Sequence, residues 1–247
     1  MRSLLFVPGD DVRKLARALV SGADVLILDL EDAVAPARKG QARATLRDFI
    51  FSARQQTQRP RLLVRINGLE TDLCHADLDA IMPAGPDGIV LPKCRSGADV
   101  QHLGARLAVR EAECGLADGA CAILPLVTET AGALFGLASY AGSSKRLMGL
   151  AWGVQDLAAA LGAQTSRMAD GALTAPFQLA RSLTLAGARA AGVAPVDMVF
   201  AAIGDEAGLR AECEAARRDG FSAKMALHPA QIAVINEIFS VSLSRQS

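Results

Sequence analysis

The sequence predicts an α/β chain wound into a (β/α)₈, or TIM, barrel, a single domain over residues 1–247. Three observations predict it. Eight short apolar runs recur along the chain, amphipathic stretches separate most of them, and 247 residues matches the roughly 250 typical of this barrel. Nearly continuous apolar strands imply a parallel sheet covered on both faces. A doubly wound open sheet alternates in the same way, but the count of eight and the length favour closure. No Pro-, Ser- or charge-rich linker divides the chain, and no repeat of 20–50 residues stands out.

The elements follow in order. Leu4–Val7 is a strand closed by Pro8-Gly9, and Asp10 is placed to cap a helix over Asp11–Val20. The second strand lies within Asp24–Leu30 and ends in Glu31-Asp32, before a basic-faced helix over Pro36–Ala53. The third strand is Arg61–Ile66, followed by a weaker helix over Thr71–Met82. Gly88–Leu91 and Ala122–Val127 are the fourth and fifth, followed by helices over Ala98–Glu113 and Ala131–Tyr140. Leu147–Trp152 is the sixth, with its helix at Phe177–Ala191. Met198–Ala202 and Ala223–Leu227 complete the eight, with helices over Glu206–Arg218 and Ala230–Phe239.

Composition narrows the function. Lys plus Arg and Asp plus Glu both total 26, so the net charge is zero. That balance argues against a nucleic-acid partner and against a polybasic membrane-surface protein. No run of about 18 apolar residues is present for a membrane helix, and the N-terminus carries no targeting pattern. Cys74, Cys94, Cys114, Cys121 and Cys213 are odd in number and form no CxxC pair, which fits reduced thiols in a cytoplasmic protein. No nucleophile elbow, Walker loop or dinucleotide fingerprint appears, so nicotinamide and nucleotide-triphosphate chemistry lose support.

Barrel active sites lie at the C-terminal ends of the strands. The polar residues just past each run are Asp29, Glu31 and Asp32, then Arg65 and Asn67, Lys93, Glu129, Asp156, Asp205 and His228. Glu129 and Asp156, on neighbouring strands, suit a hard divalent cation whose other positions go to water or substrate. Each can equally cap the helix behind it. Arg65 offers a planar fork for a substrate carboxylate, or an ion pair for Glu31 or Asp32. Three carboxylates within Asp29–Asp32 call for cations nearby, with Lys93 and Arg65 as candidates. His228 is a general base or, with Pro229 behind it, the start of a helical turn.

Longer motifs carry a resemblance. Arg2-Ser-Leu-Leu-Phe-Val-Pro-Gly9 and Asp24-Val-Leu-Ile-Leu-Asp-Leu-Glu-Asp-Ala-Val34 resemble the opening of the citrate lyase β-subunit-like family, within the wider HpcH/HpaI aldolase superfamily. The similarity continues through Lys39-Gly-Gln-Ala-Arg43, Val64-Arg-Ile-Asn67, Gly88-Ile-Val-Leu-Pro-Lys93 and Leu124-Pro-Leu-Val-Thr-Glu-Thr-Ala131. It ends with Gly149-Leu-Ala-Trp-Gly-Val-Gln-Asp156 and Gly220-Phe-Ser-Ala-Lys-Met-Ala-Leu-His-Pro-Ala-Gln231.

The resemblance implies a Mg²⁺-dependent carbon–carbon lyase. Its substrate is a 3-hydroxy-acyl thioester, such as a citryl, citramalyl or malyl thioester, cleaved to an oxo-acid and an acetyl thioester. The acyl carrier is coenzyme A or a carrier protein. The resemblance assigns the metal to Glu129 and Asp156 and the oxo-acid to Arg65, with Glu129 also at the substrate. Asp29, Glu31, Asp32, Arg43, Lys93 and His228 are candidates for support around them. A homo-oligomer, trimer or hexamer, is also implied.

Many relatives acting on coenzyme A thioesters carry a further C-terminal segment that closes over a neighbouring subunit's site and brings a carboxylate. This chain ends about eight residues past its last predicted helix, so a short form without that lid is the expectation, and the proton-handling base stays open. Two other readings stand beside the thioester lyase: a metal-dependent aldolase for free 2-oxo acids such as pyruvate or oxaloacetate, and a non-catalytic paralogue.

Overall fold

The computed structural model describes residues 1–240. The expectation of a missing lid falls on the stretch after residue 239 and lies essentially outside the described residues. Eight parallel strands run in sequence order: β1 Ser3–Pro8, β2 Val25–Asp29, β3 Arg61–Arg65, β4 Gly88–Leu91, β5 Ala122–Pro125, β6 Gly149–Ala151, β7 Ala194–Asp197 and β8 Ala223–Ala226. Each hydrogen-bonds to its neighbour from β5 back to β1 and on through β8 to β6. The remaining seam, β5 to β6, is joined by parallel bridges Ile123↔Leu147 and Leu126↔Ala151. The expected barrel is therefore present, an α/β domain rather than an open doubly wound sheet.

Helices cover the outside: α1 Val12–Leu19, α2 Lys39–Ala53, α3 Leu73–Ile81, α4 Gly97–Glu113, α5 Ala133–Gly136, α6 Gln155–Leu161, α7 Ala175–Ala190, α8 Glu206–Asp219 and α9 Ile232–Ser240. Among the described residues no helix is long and apolar enough to cross a membrane.

Alternation along each strand sorts side chains between two cores. Leu4, Val25, Ile27, Leu63, Val90, Leu124, Ala151 and Val196 pack together as the barrel lining. Leu5, Val7, Leu26, Leu28, Leu62, Val64 and Leu91 point the other way, into the layer beneath the helices. The same period sends Asp29, two residues after Ile27, and Arg65, two after Leu63, to the inner face at the mouth. Gly9 lets the first turn pass close to that mouth, since a Cβ there would stand 2.6 Å from the Asp29 carbonyl oxygen.

Three expectations need correction. Asp11, not Asp10, caps α1, accepting the amides of Arg13 and Lys14 at 3.1 Å. The helix behind Asp156, expected only as something that residue could cap, is α6, and it starts at Gln155, so Asp156 lies inside it and not before it. Strand seven is Ala194–Asp197, four residues earlier than Met198–Ala202. Asp197 breaks the apolar pattern there, but it is buried against the equally buried Lys224, Nζ to Oδ2 at 2.9 Å. Periodicity counts an aspartate as outside; a buried ion pair puts it inside.

Candidate active site

A cavity of about 880 Å³ opens at the C-terminal end of the barrel. One side is charged, with Asp29, Arg65, Glu129 and Asp156. The rest of the lining is mixed: Met198, Val199, Phe200 and Met225 are apolar, and Arg167, Asp205 and Glu212 are charged.

The charged side is built around a fork. β2 and β3 run in a register that sets Asp29 beside Arg65. Arg65 Nε donates to Asp29 Oδ1 at 2.7 Å and Nη2 to Oδ2 at 2.6 Å. Asp29 also accepts the amides of Glu31 at 2.9 Å and Ala33 at 3.0 Å, so its oxygens are fully engaged. The Phe6 ring lies beneath the guanidinium, its centroid 4.9 Å from Cζ, a cation–π contact. Arg65 Nη1 is left facing the mouth, 3.1 Å from Glu31 Oε2 and 3.9 Å from Asp32. The Glu31 contact is an ion pair out of line for a hydrogen bond, and this buried oxygen has no hydrogen-bond partner. The ion-pair alternative for Arg65 is present, but its main partner is Asp29.

Lys93 follows β4. Its amide donates to Glu129 Oε2 at 2.6 Å, and its ammonium donates to Glu31 Oε1 and stands 3.6 Å from Asp156 Oδ2. Neither metal candidate serves as a helix cap. Val154 occupies the position before α6 with no side-chain cap bond, and Asp156 sits in the first turn. There the helix N-terminus favours its negative charge.

The electrostatics fit a hard divalent cation. On the charged side five carboxylates (Asp29, Glu31, Asp32, Glu129 and Asp156) stand with Arg65 and Lys93 among them. Burial, followed by the negative charges of Glu31 and Asp156, pushes the Glu129 carboxyl up to about 8 despite the Lys93 amide. Burial likewise raises Glu31. A divalent cation bound there would balance this negative charge. Among the described residues no three His, Cys, Asp or Glu side chains gather into a metal cluster. Two carboxylates with the remaining positions open to oxygen ligands is the arrangement Mg²⁺-type ions use.

Arg43 and His228 lie apart from this group. Arg43, on α2, pairs with the buried Asp77 at 2.7 Å, and Asp77 holds the amide and side chain of Asn67. Arg43 thus braces the loop after β3. His228 caps a short 3₁₀ turn, its Nδ1 accepting the Ala230 amide at 3.2 Å, as expected of a helix-start residue.

Several contributors are not among the site candidates the sequence singles out, although Lys39 and Trp152 stand in its longer motifs. Lys39, buried at the start of α2, donates to the carbonyls of Leu30 and Glu31 at 2.8 and 3.0 Å and pins the carboxylate loop. Trp152 Nε1–H donates to Asp197 Oδ1 at 2.8 Å, tying the end of β6 to β7. Arg167, in the loop before α7, lines the cavity and pairs with Glu212 of α8 at 2.8 Å. Glu212 in turn holds Lys224 at 2.8 Å.

A family model described as HpcH/HpaI aldolase/citrate lyase matches residues 2–229. The chain belongs to the HpcH/HpaI aldolase/citrate lyase family. Among family relatives it is 39 % identical to a (3S)-malyl-CoA thioesterase of Cereibacter sphaeroides, over 98 % of this chain and 78 % of that one. It is 34 % identical to an L-malyl-CoA/beta-methylmalyl-CoA lyase of the same species, over 98 % of this chain and 79 % of that one. Its fold superposes on the crystal structure of Mycobacterium tuberculosis CitE in complex with magnesium and acetoacetate. The TM-score is 0.82 and the identity 34 %, over 99 % of this chain and 92 % of that one.

Proposed function

We propose that this chain is a Mg²⁺-dependent carbon–carbon lyase acting on a 3-hydroxy-acyl thioester of the malyl, citramalyl or citryl type. The products are an oxo-acid and an acetyl thioester. The observation that carries the reading is the mouth itself: two carboxylates, Glu129 and Asp156, that both border Lys93, and an arginine that Asp29 holds in a fixed plane.

Glu129 and Asp156 are the residues that hold Mg²⁺. When bound, Mg²⁺ would supply Lewis-acid stabilisation of the hydroxyl oxygen as it loses its proton and becomes the oxo-acid carbonyl, the C–C electron pair passing to the acetyl thioester as its enolate. Arg65 orients the oxo-acid end through Nη1, the one guanidinium nitrogen that Asp29 leaves free, and places positive charge beside its carboxylate and the former hydroxyl oxygen. Asp29, with both oxygens occupied, positions Arg65 and does not ligate. Lys93 fixes Glu129 through its amide. The apolar part of the lining, Met198, Val199, Phe200 and Met225, receives the acyl chain. The carrier on this reading is coenzyme A, supported by the malyl-CoA relatives.

The five unpaired cysteines support a reducing, cytoplasmic setting. A homo-oligomer, trimer or hexamer, goes with the same reading, and light scattering checks it.

A second reaction at this mouth, hydrolysis of the thioester, is favoured by the 39 % identity to a malyl-CoA thioesterase. One assay separates the two. (3S)-Malyl-CoA and citramalyl-CoA are incubated with the protein and Mg²⁺, and oxo-acid and free thiol are followed together. Oxo-acid without thiol is the lyase result, and thiol without oxo-acid is the thioesterase result. Turnover of free hydroxy-acids alone overturns both.

A further inference from the structure

The geometry points to Lys93 as a stand-in for the metal: its ammonium, which stands between Glu31 and Asp156, gives up Asp156 when a divalent cation enters. This rests on the reading of Glu129 and Asp156 as the residues that hold Mg²⁺.

Lys93 has φ +52°, the one non-glycine residue with a positive φ among the described residues. A side chain in the left-handed region is disfavoured, so the surrounding structure must enforce this turn. The turn lets one residue touch both metal carboxylates. The main chain reaches Glu129, amide to Oε2 at 2.6 Å. The side chain reaches the group that holds Asp156, with Nζ bonded to Glu31 Oε1, 3.6 Å from Asp156 Oδ2 and 3.9 Å from Asp32 Oδ2. Alternation from β4 does not predict this, because the left-handed residue breaks the strand period.

The two cations of the mouth are not equivalent. Arg65 is committed to Asp29 by a two-bond fork. The Lys93 ammonium is a single charge on a flexible stem, 31 % exposed, with donors that can exchange one oxygen for another. Its bond to Glu31 can persist while Asp156 is released. Without it, the carboxylates of Glu31, Glu129 and Asp156 face one another with no mobile counter-charge. With a divalent cation in place, the same ammonium becomes a repulsive neighbour of the ion.

That gives an effect of unusual sign. A residue that merely supports a metal site weakens binding when removed. Removing the Lys93 charge instead tightens binding while it destabilises the metal-free protein.

Mg²⁺ titration calorimetry on the full chain, with melting curves with and without Mg²⁺, tests this for wild type, Lys93→Gly, Lys93→Met and Lys93→Arg. Glycine accepts a positive φ freely, so Lys93→Gly removes the ammonium and leaves the amide aimed at Glu129. The expected result is Mg²⁺ binding about tenfold tighter in Lys93→Gly, from losing one charge close to a divalent ion. Lys93→Met should melt lower than wild type without metal and gain more from Mg²⁺. Lys93→Arg, which keeps the charge, should bind Mg²⁺ as wild type does. Unchanged or weaker binding in Lys93→Gly overturns the inference and leaves the metal reading standing. Absence of Mg²⁺ binding in wild type, or binding that Glu129→Ala does not alter, overturns the metal reading and this inference with it.

Discussion

Arg65 and Asp29 stand side by side on adjacent parallel strands and share two hydrogen bonds, at 2.7 and 2.6 Å. The fork fixes the plane of the guanidinium and leaves only Nη1 toward the mouth. Lysine cannot reproduce that geometry. Arg65→Lys is therefore expected to lower kcat/KM on the order of 10²-fold, the scale of losing one preorganised oxyanion donor. Asp29→Asn keeps the shape but loses the charge that holds the fork, and should lower kcat/KM in the same direction. Steady-state kinetics with malyl-CoA check both. An Asp29→Asn enzyme with wild-type kinetics would show that Asp29 does not orient Arg65.

Glu129 and Asp156 are expected to be inseparable from metal binding. In Glu129→Gln and in Asp156→Asn the calorimetric Mg²⁺ signal should vanish. Thioester cleavage should fall by roughly 10³-fold or more, since the Lewis acid is lost as a whole. Chelation should do the same to wild type, and added Mg²⁺ should restore it. Retained cleavage in either variant would move the metal away from these two carboxylates.

Asp197 and Lys224 form a buried pair, with side chains 1 % and 0 % exposed. Asp197→Ala leaves a buried ammonium with Glu212 alone and is expected to cost about 3–5 kcal/mol. Trp152, the single tryptophan and a hydrogen-bond donor to Asp197, reports it directly. Its fluorescence during urea unfolding should show a lower midpoint in the variant. An unshifted midpoint would mean that water reaches Lys224.

Glu111 and Arg146 set an acid limit on stability. Burial works to raise the Glu111 carboxyl. The two bonds from Arg146, each 2.7 Å, and the amides of Cys121 and Gly119 outweigh it and hold the carboxyl below its usual range. A carboxyl depressed in the folded state contributes stability above its unfolded pKa and loses it as pH falls through the folded value. Glu111→Gln should therefore melt below wild type at pH 7, and the difference should shrink below about pH 4. A constant difference across that range would assign the effect to packing instead.

The sequence by itself determined the barrel and the family. Apolar period and length carry the eight strands, because strands buried on both faces must be apolar whatever their partners. The motifs through Asp156 carry the family, because a loop mouth built for one chemistry retains its residue types. What only the tertiary structure decided is pairing. Asp29, Glu31 and Asp32 lie within four residues of one another and each is a possible partner for Arg65, and only strand register selects Asp29. Lys93 is one lysine among several until a left-handed turn places it between Glu129 and Asp156. Arg43 and His228 carry the right chemistry but are drawn to Asp77 and to a helical turn. Strand seven escaped the pattern because Asp197 finds Lys224 beside it on the neighbouring strand β8, and a charge buried with its partner leaves no periodic trace.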